Sequence, residues 1–340
     1  MKYHKIIFYS LFFVLVILVI QCKSSEGPHY VFSIKGEKTF LNDSEILLKG
    51  LRLSNALISD KAVDELIANL DTFAFYGLNS FSVYFQGSRF GDIKGYRIDG
   101  SLDPVYADRM ARIIEAADRK GFVVLTGCLY WSSSEGKWDS WTSKEAETAV
   151  ANTIKWLKDN NFRNVFIDVD NEGMAQKAKQ FDNRDLVRAG KKTDDTFFIA
   201  TNFKGDPPPE ADFAIHHSNR ATGKPYAETE GSAPAAPGGY WGSYSKQGAQ
   251  WNNGPDLYQY INIGVYTDEM KTAQLKATFN HLEKGEGYMM ASTWLQCVPP
   301  DGPNHRPGGK GTPEDPGIRW WLEAIKARYG SYTPPPPLTN

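Results

Sequence analysis

The feature that most limits what this chain can fold into is a repeated exchange of two periodicities, in which apolar residues at helical spacing give way to short β-branched or aromatic runs. A helix from Asp60 to Phe75 precedes a strand from Ser80 to Phe85. A second helix, Pro104 to Arg119, carries Met110, Ile113, Ile114 and Ala117 on one face and precedes a strand from Phe122 to Leu129. Thr142 and Glu145 have the spacing of a capping box ahead of a helix that runs to about Asp159, and a strand from Asn164 to Val169 follows. Helix Met174 to Ala189 leads to strand Thr196 to Thr201, and two short strands, Phe213 to His216 and Pro225 to Thr229, come with little helix between them. A helix near Asp268 to Leu282, a strand from Tyr288 to Trp294 and a helix from Arg319 to Arg328, stopped by Gly330, complete the series. With the strand near Lys49 counted first, eight strands alternate with helices. That arithmetic predicts an α/β chain closed into a (β/α)8 (TIM) barrel rather than an open sheet. Ahead of it, Tyr30 to Ile34 and Ile46 to Leu51 flank the turn signal Asn42-Asp43-Ser44 and predict an N-terminal β-hairpin.

A chain of 340 residues with 41% hydrophobic content suits one large core, and 38 basic against 40 acidic residues leave no concentrated basic face for nucleic acid. The first 22 residues read as a leader: Lys2 and Lys5 precede an apolar run from Ile6 to Ile20, short for a spanning helix. The run ends Val19-Ile20-Gln21-Cys22, which resembles a bacterial lipobox, although Gln21 stands where a small residue is usual. The resemblance implies export with Cys22 acylated as the anchor to a bacterial membrane; a retained single-pass anchor is the competing reading. Residues 23–29 form a linker, 30–330 the barrel, and 331–340 a Pro-rich, solvated tail. Cys128 and Cys297 exclude a disulfide scaffold and read as free thiols, with one bridge between them as the alternative. The expected assembly is a monomer.

Active sites of such barrels lie at the carboxyl ends of the strands. The fourth strand runs out into Asp170-Asn171-Glu172-Gly173 and the seventh, opposite it, into Glu230-Gly231. Two carboxyl groups across a cleft are what glycosidic cleavage requires, one protonated to release the leaving oxygen and one ionised to attack the sugar, with no cofactor. Glu230 lies nearer the strand end, and Glu228, two residues earlier and so on the same face, is the alternative nucleophile.

With these residues the chain resembles clan A of the glycoside hydrolases, the group that includes the cellulase and mannanase family five. Asn171-Glu172 matches the Asn-Glu ending the clan's fourth strand, which implies Glu172 as acid and base and Asn171 as a donor to the sugar 2-hydroxyl. Lys224-Pro225-Tyr226-Ala227-Glu228-Thr229-Glu230-Gly231 is similar to the clan's Lys-Pro, four residues, Glu, Gly pattern and implies Glu230 as nucleophile. Trp294 ends the eighth strand where the clan often places a sugar-stacking Trp. The chain departs from many family-five members in lacking an Arg near Phe81 to Phe85 and in ending its sixth strand His216-His217-Ser218 instead of His-x-Tyr.

The expectation is therefore a retaining glycoside hydrolase of a poly- or oligosaccharide. A saccharide-binding barrel without catalysis and a metal-dependent hydrolase are the rivals. For the latter, Asp168, Asp170 and Glu172 alternate onto one face and could be oxygen ligands for a hard cation, although no zinc motif is present. His216 and His217 are adjacent, so in a regular strand only one faces the cavity; His216 is the candidate to touch substrate or nucleophile, an ordinary core histidine being the plainer reading. Tyr130, Trp131, Trp138 and Trp141 after the third strand, and Trp241 and Trp251 in the long segment Ser232 to Asp256, are candidate stacking platforms, whereas Trp320 and Trp321 read as core.

Overall fold

The computed structural model describes residues 27–86, 93–130, 139–231, 266–291, 294–295, 308–315 and 317–339. The described residues open on a three-stranded antiparallel sheet, β1 (Phe32–Lys35), β2 (Lys38–Leu41) and β3 (Ser44–Ile46), where a single hairpin was expected. The extra strand follows from a second tight turn at Gly36, whose φ of 62° suits a residue without Cβ. Asn42 (φ 46°) and Asp43 (φ 62°) make the turn that the sequence signals. This sheet floors the barrel: the Phe32 ring lies 5.4 Å from that of Phe166, and Phe32 joins Leu41 and Leu48 in one buried cluster with the inward-facing barrel residues.

Eight parallel strands close the barrel: β4 (Lys49–Arg52), β5 (Ser80–Tyr84), β6 (Val123–Leu129), β7 (Val165–Asp170), β8 (Ile199–Thr201), β9 (Phe213–Ile215), β10 (Tyr226–Gly231) and β11 (Gly287–Ala291). Each pairs with its neighbour in chain order, and β11 returns to β4. Around them run α1 (Asp60–Phe75), α2 (Pro104–Arg119), α3 (Ser143–Asp159), α4 (Met174–Lys179), α5 (Asn183–Thr193), α6 (Asp268–Leu282) and α7 (Arg319–Tyr329). The helix starts are set by local chemistry. Ser59, Asp103 and Thr267 cap α1, α2 and α6 with side-chain oxygens, and Thr142 and Glu145 complete the expected capping box of α3. The single helix expected from Met174 to Ala189 is two. Gln180 turns left-handed (φ 60°), Phe181 is buried, and the Asp182 side chain accepts from Arg184 N at 2.8 Å to start α5 afresh.

The Pro-rich end is not a free tail. Tyr332 Oη donates to Gly121 O, the Asn42 side-chain amide donates to Pro336 O at 3.0 Å, and Leu338 N donates to His29 O at 2.9 Å, so the C-terminal segment lies beside His29 and Asn42 on the barrel's base. At the opposite end of the strands the interior is polar. There the Tyr84 ring occupies the space a side chain at Gly127 would need, since a Cβ added to Gly127 would stand 1.9 Å from Tyr84 Cδ1. We expect Gly127→Ala to cost about 1 to 3 kcal/mol in chemical denaturation, the range for overpacking a filled core. Gly308→Ala, which points into open space, should leave the midpoint unchanged.

Candidate active site

Six strand ends supply one connected cluster. Arg52, the last residue of β4, is fully buried, and its guanidinium donates through Nη2 to Asn171 Oδ1 at 2.7 Å and reaches Glu230 Oε2 at 3.3 Å. Nη1 lies 3.4 Å from Thr229 O, and the cation sits 5.3 Å from the ring centres of both Tyr84 and Tyr130. Tyr84 Oη donates to Asp168 Oδ2 at 2.6 Å, and the Asn202 side-chain amide donates to both Asp168 Oδ2 (3.2 Å) and Asn171 Oδ1 (3.1 Å). With its oxygen held by these donors, the Asn171 amide is fixed in one orientation, its Nδ2 turned to Glu172 Oε1 at 3.5 Å.

Glu172 and Glu230 do come together, and Asn171 joins them as expected. Glu172 sits at φ 52° in a tight turn with Gly173 (φ 60°), which aims its carboxylate back over the barrel, 3.4 Å from His217 Nε2. On the other side an irregular register between Glu228 and Gly231 interrupts the alternation of β10. Glu230 thereby faces Arg52 and Glu172, whereas Glu228 turns to His216, its Oε1 2.5 Å from Nδ1, and accepts Glu230 N–H at 2.8 Å. Glu228 is thus a support for its neighbour and not the residue opposite Glu172.

The histidines depart from expectation because His216 itself is left-handed, with φ 46°. That kink removes the alternation, so both rings face the site, tilted together with centres 4.1 Å apart; His216 approaches Glu230 at 3.8 Å while His217 serves Glu172.

The two carboxyls shift in opposite senses, as a pair sharing one proton must. Burial pushes Glu230 up to about 8, Arg52 opposing and the charge of Glu172 reinforcing it. Burial also works against ionisation of Glu172, but hydrogen bonding from His217 and the partner carboxyl, with the charges of His216 and Arg52, holds it well below the usual carboxylate range. Near neutral pH the two carboxyls therefore carry one proton between them, a property of the pair that the expectation had placed on Glu172 alone. His216 is pulled down by burial yet raised to about 9 by Glu228, Glu230 and Glu172, so it is an imidazolium at neutral pH.

The remaining expectations are corrected by packing. Asp168, Asp170 and Glu172 do not form one cation face: Asp168 is engaged by Tyr84 and Asn202, while Asp170 accepts from Ala175 N and Gln176 N at the start of α4 and from Asn183 Nδ2 at the start of α5, burial raising it to about 7. Glu172, His216 and His217 do offer atoms within 4.8 Å of one another, but an ion there must displace a proton from an imidazole whose charge three carboxylates stabilise. Trp294 is not a stacking face. It is fully buried and packs edge-on against Phe73 of α1 at 5.7 Å, outside the barrel wall. Tyr130 is 4% exposed and backs Arg52 instead of offering an open platform, and Trp141 lies in the core beside Tyr96. Trp321 is core as expected, with Nε1 donating to Thr278 Oγ1. Trp131, Trp138, Trp241, Trp251, the segment Ser232 to Asp256, Cys297 and Cys22 lie outside the described residues. Cys128 is a buried free thiol that burial pushes up to about 12. Sequence reasoning missed Arg52, whose only signal was a lone charge at the end of the first barrel strand, and also missed Tyr84 and Asn202.

No family model matches the chain, and no curated protein matches it in sequence. Solved structures do. An exo-β-1,4-mannosidase from Opitutaceae bacterium strain TAV5 superposes with a TM-score of 0.51 at 12% identity, covering 84% of this chain and 60% of that one, so the chain spans less than two thirds of that relative. An endocellulase from Pyrococcus horikoshii, solved with cellotetraose, gives 0.52 at 12% identity over 89% of this chain and 99% of its own. A glycoside hydrolase family 5 mannosidase from Rhizomucor miehei gives 0.50 at 12% over 90% and 98%. At that identity the likeness is one of fold: the chain has the (β/α)8 architecture of these glycoside hydrolases.

Proposed function

We propose that this chain is a retaining glycoside hydrolase that cleaves O-glycosidic bonds of a poly- or oligosaccharide with Glu230 as nucleophile and Glu172 as acid and then base. The observation that carries the reading is the meeting of these two carboxyls from β7 and β10 around one buried guanidinium. They interact directly, well inside the about 6.5 to 9.5 Å that an inverting pair needs to hold a water. Glu230 Oε2 is buried without a well-formed hydrogen bond, which leaves a lone pair free for attack. Asn171 Nδ2, oriented by its saturated oxygen and turned to Glu172, is the donor assigned in this reading to a sugar 2-hydroxyl.

The reaction starts with the shared proton. A sugar entering the cleft brings its leaving oxygen beside Glu172, and the proton passes from Glu230 to Glu172 while Arg52 and His216 take up the charge left behind. Glu230 then attacks the anomeric carbon as Glu172 protonates the departing oxygen. In the second half Glu172, now a carboxylate, draws a proton from water, which displaces Glu230 and restores the starting pair.

Glu230→Gln should remove turnover. Glu172→Gln should slow natural substrates by about 10²- to 10⁴-fold, the usual worth of acid–base assistance, while activated aryl glycosides still load the enzyme and added azide releases a glycosyl azide of retained configuration. Wild-type rates in both variants against a panel of polysaccharides and aryl glycosides would remove the pair from the chemistry.

Because the pair must hold one proton, kcat/KM should be bell-shaped. Glu230 sits near 8, so the alkaline limb should fall there as the second carboxyl ionises; the acid limb follows from protonation of Glu172 at low pH. A profile flat from pH 6 to 10 would contradict a shared proton.

We further infer that the protein works exported, as a monomer held to a bacterial membrane by acylated Cys22. His29 is bound through its backbone and ring to Asp118 at the end of α2, on the barrel's base, so a tether there points the cleft away from the bilayer. Among the described residues no helix is long and apolar enough to cross a membrane. Labelled fatty acid should enter the wild-type protein but not Cys22→Ala; equal labelling would sink the lipid anchor.

A further inference from the structure

Behind the reacting pair stand two residues, Glu228 and His216, that neither give nor take a proton in the transfers above. One oxygen of Glu228 performs two tasks: it lies 2.5 Å from His216 Nδ1 and accepts the backbone N–H of Glu230 at 2.8 Å. The same imidazole turns its Nε2 to Glu230 Oε2 at 3.8 Å. The ring has little freedom. Its backbone carbonyl accepts Tyr226 Oη at 2.7 Å, its face is covered by His217, and its left-handed φ of 46° keeps it turned inward. His216 and Glu228 each expose only 16% of their side chains, so an unpaired charge on either would be costly.

We propose that Glu228 is a positioning residue which, through a charged His216, sets the orientation and reactivity of Glu230, and so determines how fast that carboxylate attacks. The inference rests on the reading of Glu230 as nucleophile. At 3.8 Å the imidazolium stabilises the anion without occupying the lone pair that must reach the anomeric carbon. Burial favours a protonated Glu230, which cannot attack, and the imidazolium opposes this by holding the carboxyl ionised. The attraction weakens as the glycosyl bond forms and returns when water attacks the anomeric carbon and displaces the carboxylate. No proton leaves His216 in either step. The fork in Glu228 couples ring and backbone, so the charge and the position of Glu230 are controlled together.

The groups that face His216 are Glu228 and Glu230 from β10, Glu172 from the turn after β7, and the stacked His217; Arg52 neutralises Glu230 from the far side. Behind Glu228, Tyr226, Arg220 and His281 act on it electrostatically without touching Glu230. Of these only Glu228 bonds the ring directly, so its removal should lower the charge on His216 most.

Two measurements on the whole chain test this. With nitrogen-labelled histidine, the His216 resonance, assigned by its loss in His216→Gln, should titrate near 9 in the wild type and move toward the ordinary histidine value of about 6.5 in Glu228→Gln. A 2-fluoro-2-deoxy glycoside with a dinitrophenolate leaving group, taken from the sugar the panel shows to be cut, should label Glu230 by mass spectrometry. Glu228→Gln should slow that labelling roughly tenfold or more, the loss expected for a charge-assisted contact, with the alkaline limb that follows loss of the His216 charge at lower pH and little change in the concentration dependence. His216→Gln keeps Glu228 on the Glu230 backbone and should be slowed similarly, which preserves the test if Glu228→Gln fails to fold. Labelling at wild-type rate in either folded variant, or an unmoved His216 titration in Glu228→Gln, overturns the positioning role while leaving Glu230 as nucleophile. A wild type labelled at another residue, or not at all, overturns the functional reading itself.

Discussion

One buried positive charge organises the top of this barrel. A guanidinium removed from water destabilises the fold by several kcal/mol unless oxygen atoms and aromatic faces surround it, and Arg52 collects all of these from other strands. Glu230 supplies the counter-charge, Asn171 a neutral acceptor, and Tyr84 and Tyr130 the flat negative surfaces. Each of those partners is fixed in turn: Asn171 by Asn202, Tyr84 by Asp168, Glu230 by Glu228. The cluster therefore stands or falls as a unit, and a change at Tyr84 or Asn202 reaches the two carboxyls without touching them.

The division between what could and could not be read in the sequence follows from how local each cause is. The limits of α1, α2 and α6 coincide with those expected because a capping side chain and an apolar stripe within one turn decide them. Glu172 and Glu230 were legible because their motifs sit at strand ends, and an eight-membered ring places strands four and seven across from each other. Arg52 was not legible. A lone arginine after Gly50 and Leu51 acquires meaning only once β11 pairs with β4 and brings Thr229 and Glu230 around it. Trp294 failed for a related reason. The described strand β11 ends at Ala291, three residues early, and the Trp ring passes to the helix side of the wall, where Phe73 receives it.

Backbone sign matters as much as side-chain identity here. Glu172 and His216 are non-glycine residues with positive φ, a conformation that costs about 1 kcal/mol or more and persists only where surrounding bonds demand it. At Glu172 it folds the carboxyl back over the barrel. At His216 it converts two adjacent residues from opposite faces to one, so that each carboxyl of the pair gains its own imidazole. Period-two reasoning on Glu228 and Glu230 fails through the irregular register of β10 in the same way, and in each case the departure falls at the site and not in the scaffold.

The meeting of His29 and Leu338 on the floor of the barrel has a topological consequence. Leu338 is hydrogen-bonded to His29 and Pro336 to Asn42, so residues 27–339 form nearly a ring, cut at a place remote from the polar end of the strands. A short bridge joining position 339 to position 27 would complete that ring, and a new opening between α4 and α5, where Gln180 already interrupts the helix, would yield a circular permutant with every barrel strand intact and in its present neighbourhood.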